Sequence, residues 1–296
     1  MKILLFGKNG QVGWELQRAL TSLGEVVALD RHSTDHCGDL GNLEGLRTTL
    51  RTLAPDVVVN AAAYTAVDKA ESDQANALLI NSQASQVMAT EVAVLGGWLA
   101  DYSTDYVFDG SGDTPWSEAD ACAPLNFYGY SKLQAERTIE ASGCNHLIFR
   151  TSWVYAARGN NFVKTMLRLA KEREVLSVVA DQIGAPTPAA LLADVTAHAI
   201  RAARRDASVS GIYHLAPTGS VSWHGYAQFV IEQARVMGEQ LRVGSINPIP
   251  AASYPTPAAR PLNSRLNTEK LTQTFDVFMP DWRVGVVRML DDMIRK

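Results

Sequence analysis

The amino-acid sequence predicts an α/β protein: a doubly wound parallel sheet with a smaller C-terminal lobe. Two patterns carry the prediction. Apolar runs of strand length alternate with amphipathic helical segments through the first half of the chain, and a glycine-rich turn follows the first run and opens the first helix. Composition agrees. Of 296 residues, 47% are hydrophobic and 20% charged, and the mean hydropathy is −0.05, which suits a chain that buries a full core.

In chain order, strands are expected at residues 3–6, 26–29, 57–59, 98–102 and 147–149. Short strands that are apolar throughout are buried on both faces, and this requires helical crossovers. Helices are expected at 12–23 and 75–95, the second ending at Gly96-Gly97 as a left-handed cap would end it. Beyond Arg150 the texture changes. Proline-rich stretches at 185–188 and 248–261 interrupt longer helices expected near 162–174, 190–205 and 224–237, and an amphipathic helix closes the chain from 282 to 296. We therefore expect a dinucleotide-binding domain over residues 1–150 and a mainly substrate-binding lobe over 151–296, with later segments free to cross back.

The same reading removes several classes of function. The net charge is −4 and there is no long basic run, so nucleic acid is not an expected partner. No apolar stretch approaches the ~20 residues that span a bilayer. Gly7-Lys8-Asn9 ends the first apolar run too early for a signal peptide, so the expected location is the cytoplasm. Cys37, Cys122 and Cys144 are widely spaced and suggest reduced thiols. The six histidines show no metal-ligand spacing. No heptad or exposed apolar helix speaks for or against a homodimer.

Three motifs carry chemistry. The first is Gly7-Lys8-Asn9-Gly10-Gln11-Val12-Gly13, placed between strand and helix. Glycines there permit a tight turn and close backbone approach, so that a pyrophosphate rests on the helix N-terminus. Asp30 ends the next strand seventeen residues after Gly13, where a carboxylate binds the ribose hydroxyls of NAD and repels a 2′-phosphate; Arg31 beside it would instead favour NADP. NADH and NADPH both remain open. Small side chains at Ala61, Ala62 and Ala63, after the third strand, also allow a cofactor to approach the backbone.

The second motif, Tyr128-Gly129-Tyr130-Ser131-Lys132, puts Tyr128 and Lys132 one turn apart on a helix face. A phenol is a poor acid near neutral pH, and a nearby cation is expected to lower its pKa. The third motif runs from Tyr102 to Gly110 and sets Ser103 and Thr104 at the carboxyl end of a strand, where this sheet type binds its ligand.

With these motifs the chain resembles the extended short-chain dehydrogenase/reductase superfamily, whose sheet is a Rossmann fold. More narrowly, it is similar to the branch that reduces the C4 keto group of dTDP-4-dehydro-L-rhamnose. The longest runs behind this likeness are Val58 to Glu71, Ser103 to Gly110, Arg150 to Tyr155 and Arg260 to Leu266. The resemblance implies catalytic Thr104, Tyr128 and Lys132, with Tyr128 as proton donor or acceptor and Lys132 also on the nicotinamide ribose. It implies that Gly10, Gln11, Val12, Asp30, Asp39, Leu40, Ala63, Tyr64, Thr65, Tyr128 and Lys132 line the cofactor. It also implies that Thr104, Asp105, Tyr128 and Trp153 touch a sugar nucleotide, and that the product, dTDP-L-rhamnose, serves cell-surface polysaccharide such as lipopolysaccharide. Some members are associated with Mg2+. Glu15 is a candidate ligand, but residues 188–191 add no carboxylate, and no metal site is expected. Two other activities fit the same fold: a nucleotide-sugar epimerase, and a non-catalytic dinucleotide-binding regulatory subunit. A dehydratase would need a second acid after Asp105, and Tyr106 stands there.

Overall fold

The computed structural model describes residues 1–294. The first half alternates strand and helix: β1 (Lys2–Phe6), α1 (Gln11–Leu20), β2 (Glu25–Leu29), α2 (Leu43–Leu53), β3 (Val57–Asn60), α3 (Val67–Ala70), α4 (Gln74–Leu78), α5 (Ala84–Leu95), β4 (Trp98–Thr104), α6 (Phe127–Ala141) and β5 (Asn145–Thr151). The second half contains β6 (Val154–Tyr155), α7 (Phe162–Glu172), β7 (Val175–Val179), β8 (Ile183–Gly184), β9 (Thr187–Pro188), α8 (Ala189–Ala203), β10 (Gly211–His214), β11 (Val221–Ser222), α9 (Trp223–Val236), β12 (Ser245–Ile249), α10 (Glu269–Phe275) and α11 (Trp282–Ile294).

Six strands form one parallel sheet in the order β10-β5-β4-β3-β1-β2. Alternation along β1 shows why both faces are covered. Ile3 and Leu5 join Leu16, Leu192 and Leu271 on the face covered by α1, α8 and α10, while Leu4 and Phe6 join Leu46, Leu50 and Val92 on the face covered by α2 and α5. The chain order reverses between β1 and β3, which opens a crevice at their carboxyl ends. Beyond the sheet, α7, α9 and α11 pack around Tyr155, Tyr226 and Trp282, and three two-stranded pairings, β7 with β12, β8 with β11 and β6 with β9, complete the smaller lobe.

The expected strands are all present. Three features differ. β10 is a sixth strand, drawn from beyond residue 150 and paired with β5; it has no purely apolar run to announce it, because Tyr213 and His214 form half of it. The first helix ends at Leu20, and residues 21–23 form a turn. The helix expected at 75–95 is interrupted by a π-helical segment, Leu79–Gln83, before α5 closes on the left-handed Gly96 as expected. The expectation for the closing helix extends to residues 295 and 296, which lie outside the described residues.

A buried ion pair joins α6 to the sheet. Glu136 on α6 and Arg150 on β5 are both buried, and Arg150 donates from Nε and Nη2 to the two carboxylate oxygens at 2.9 and 2.7 Å. The Ser103 hydroxyl of β4 donates to the same carboxylate. Glu136→Gln should cost about 3–5 kcal/mol in denaturant unfolding, because it strands a buried guanidinium. Adding Arg150→Met should recover much of the loss; a double variant no more stable than Glu136→Gln would contradict this account.

Candidate active site

The glycine turn lies in the crevice between β1 and β3. Gly7 adopts φ +85, and a Cβ there would lie 2.7 Å from the Ala62 nitrogen; a Cβ on Gly13 would lie 2.1 Å from the Gly7 carbonyl oxygen. Only glycine lets α1 press this closely on the turn and the turn on β3. Gly10 caps α1 without a side-chain hydrogen bond, and the first turn of the helix carries no acidic residue. The helix start thus presents its N–H groups and positive dipole end to solvent, as a dinucleotide pyrophosphate requires. The smaller lobe reaches across the same turn. Arg158 lies 4.2 Å above the Trp14 ring and its Nε donates to the Asn9 carbonyl at 3.4 Å, and Asn161 Nδ2 donates to Gln11 Oε1 at 3.3 Å.

Asp30, at the end of β2, accepts from the Asn9 amide and from the His32 backbone N–H. The His32 bond is the main reason its carboxyl is held below the usual range, with the Lys8 charge contributing. Arg31 is exposed. The Asp39 carboxylate accepts from the Gly41 N–H at 3.0 Å in an Asx turn, and Leu40 packs its side chain into the core with Phe6 and Leu29. Past β3, Ala61 and Ala62 are half-buried and Ala63 and Thr65 exposed. This loop is held by Asn81, from the π-helical segment: its Oδ1 accepts from the Tyr64 N–H at 2.8 Å, while its Nδ2 donates to the Tyr64 carbonyl and to Ser131 Oγ on α6. The Tyr64 hydroxyl donates to Asp73 at 3.0 Å.

Thr104 ends β4 and Tyr128 lies in the first turn of α6, whose N-cap Asn126 accepts from the Gly129 N–H. Burial pushes the Tyr128 phenol up to about 12; the Asp105 charge adds to the rise, the Thr104 hydroxyl opposes it, and Asp101 adds again. This corrects the expectation that Lys132 lowers it. The Lys132 ammonium faces the buried Asp101 carboxylate at 3.3 Å, so its charge is balanced before it reaches the phenol.

Asp105 is buried beside Thr104, which donates to its Oδ1 at 3.2 Å; its Oδ2 is buried with no hydrogen-bond partner among the described residues. Burial raises this carboxyl to about 7, against the bonds from Ser264 and Thr104. Trp153 follows β5 in a left-handed conformation, φ +49. Its ring stacks on Trp223 with centroids 3.6 Å apart and planes 14° apart.

Comparison with known proteins agrees with the geometry. Residues 1–295 match the family described as the RmlD substrate binding domain. The chain belongs to this family. It is 58% identical over 293 residues to the dTDP-4-dehydrorhamnose reductase of Shigella flexneri, covering 99% of this chain and 98% of that one. It is equally similar, with the same coverage, to the reductase of the same name from Escherichia coli strain K12. A crystal structure of dTDP-4-dehydrorhamnose reductase from Bacillus anthracis in complex with NADP superposes with a TM-score of 0.89 at 34% identity, covering 98% of this chain and 99% of that one.

Mg2+ enters only through the resemblance, with Glu15 as its candidate ligand. Glu15 pairs with Arg18, and no group of three or more His, Cys, Asp or Glu is placed to hold a metal among the described residues. Sequence reasoning missed Asn60, Asn81, Asp101 and Trp223. The signals were present: Asn60 ends an otherwise apolar strand, Asp101 interrupts one, and Asn81 and Ser85 lie one turn apart on a buried helix face.

Two outcomes are expected. Gly13→Ala should cost about 1–3 kcal/mol at the turn and weaken dinucleotide binding by roughly tenfold or more in a fluorescence titration. Asp105→Asn removes a carboxyl whose folded pKa lies above its unfolded one. Wild type is thus penalised increasingly between about pH 4 and 7, and the variant should gain stability over that range to a plateau of at most about 4 kcal/mol. Parallel melting curves across that range would contradict the assignment.

Proposed function

We propose that this protein catalyses the NAD(P)H-dependent reduction of the C4 keto group of dTDP-4-dehydro-L-rhamnose to dTDP-L-rhamnose. The observation that supports it best is the meeting of Thr104 and Tyr128 at the carboxyl edge of β4, in a chain related over nearly its full length to named reductases. A bound reduced nicotinamide supplies the hydride. The residues that would hold the dinucleotide are the 7–13 turn, Asp30, the 61–65 loop, Tyr128 and Lys132.

The rest is done by side chains of this protein. Tyr128 donates its phenolic proton to the oxygen of the reduced carbonyl, and its raised pKa keeps that proton in place at neutral pH. Thr104 orients the same oxygen through its hydroxyl. Asp105 has an unpartnered carboxylate oxygen for a sugar hydroxyl, and the half-buried Trp153 offers an apolar face for the deoxysugar. The lobe formed mainly by residues 151–296 receives the nucleotide part of the substrate, and the reaction takes place in the cytoplasm. An ionised Asp30 favours NADH, while the exposed Arg31 leaves a charge for the 2′-phosphate of NADPH.

The assay is oxidation of NADPH, and separately of NADH, with the ketosugar nucleotide generated in place. Stoichiometric oxidation is expected, and Tyr128→Phe should lower turnover by about 10²–10⁴-fold with cofactor affinity kept. Near-normal turnover in that variant would remove Tyr128 from the role.

A further inference from the structure

Three residues before Thr104, the chain buries a carboxylate that the steps above do not use. Asp101 is 2% exposed, in register with Asn60 on β3. Its Oδ2 accepts from Asn60 Nδ2 at 2.8 Å and from Ser85 Oγ on α5 at 2.9 Å. Its Oδ1 faces Lys132 Nζ at 3.3 Å. Lys132 is equally buried, and Asp101 is the one carboxylate paired with it among the described residues; Glu136, one turn further along α6, is occupied by Ser103 and Arg150. An ammonium this deep needs an opposite charge, and two neutral donors hold that charge in place.

We infer that Asp101 is a positioning residue for the reduction: it fixes the Lys132 ammonium against β4 and, by balancing it, keeps Tyr128 a protonated donor. The inference rests on the reductase assignment above. The groups that face Tyr128 agree with it. From β4 and the turn after it come Asp101, Asp105, Tyr106 and the Thr104 hydroxyl. On its own helix Lys132 stands one turn further on, and behind Tyr106 lies the Asp68–Arg260 pair. Two carboxylates thus oppose phenolate formation, and the cation on the same helix is committed to one of them.

Asp101→Asn keeps the shape and an acceptor oxygen but leaves Lys132 unbalanced. The alkaline limb of kcat/KM for the reduction should then move to lower pH by about one unit or more. A tyrosinate titration without substrate, taken as the difference between Asp101→Asn and Asp101→Asn/Tyr128→Phe, should move by the same amount. Ser85→Ala removes a hydrogen bond from the same carboxylate without changing its charge; it should lower stability and leave the limb in place. The neutral pair Asp101→Asn/Lys132→Gln should bring the titration back toward wild type. An Asp101→Asn titration and limb coincident with wild type would overturn the inference. If Asp101→Asn does not fold, wild type decides: the Lys132 Nζ protons, assigned by their loss in Lys132→Gln, should exchange slowly in nitrogen-15 spectra, and fast exchange would overturn the pairing. A wild type that titrates as expected but does not reduce the ketosugar would count against the reductase assignment and leave the Asp101 result standing.

Discussion

Helix α6 is docked on the sheet by charge. Lys132 meets Asp101 and Glu136 meets Ser103 and Arg150, one turn apart on the helix and two residues apart on β4. Apolar contacts tolerate sliding, whereas a buried ion pair is favourable only in one geometry and costly if either partner is left alone. This pair of anchors therefore fixes both the rotation and the height of α6. Tyr128, one turn before Lys132, inherits its place from them, and so does its distance from Thr104 at the end of β4.

The loops around the crevice are fixed in a related way, by polar side chains buried in otherwise apolar elements. Asn81 ties the 61–65 loop to α6, and Asn60 ties β3 to β4 through Asp101. The π-helical segment is what turns Asn81 toward both partners, at the point where α4 gives way to α5. From the other side, Arg260 holds Asp68 with two hydrogen bonds at 3.0 and 2.9 Å, and Asn126 reaches the Ala259 carbonyl at 2.8 Å, so the proline-rich segment near 255–261 closes on the base of α6.

What could be read from the sequence was local. The buried parallel strands carry apolar runs, the glycine turn and Asp30 lie within one strand-helix-strand unit, and Tyr128 and Lys132 lie within a single helix. What could not be read depends on partners distant along the chain. β10 is a strand only because β5 is beside it. Lys132 looked like an activating cation because nothing in its own helix reveals the carboxylate thirty-one residues earlier. Trp223 lies seventy residues from the ring it stacks on. Pairings between elements decided the electrostatics of the site, and composition and periodicity carry little information about them.

The stacked indoles also matter for observation. Trp153 leaves the sheet in a conformation that few non-glycine residues adopt, and Trp223 opens a helix of the smaller lobe. With centroids 3.6 Å apart and rings nearly parallel, the two chromophores share their electronic excitation. They act as one coupled absorber whose circular dichroism depends on the angle between the rings. The start of the segment that leaves β5 for the smaller lobe is thus optically labelled by native residues, and displacement of α9 relative to that segment is encoded in the signal without any added dye.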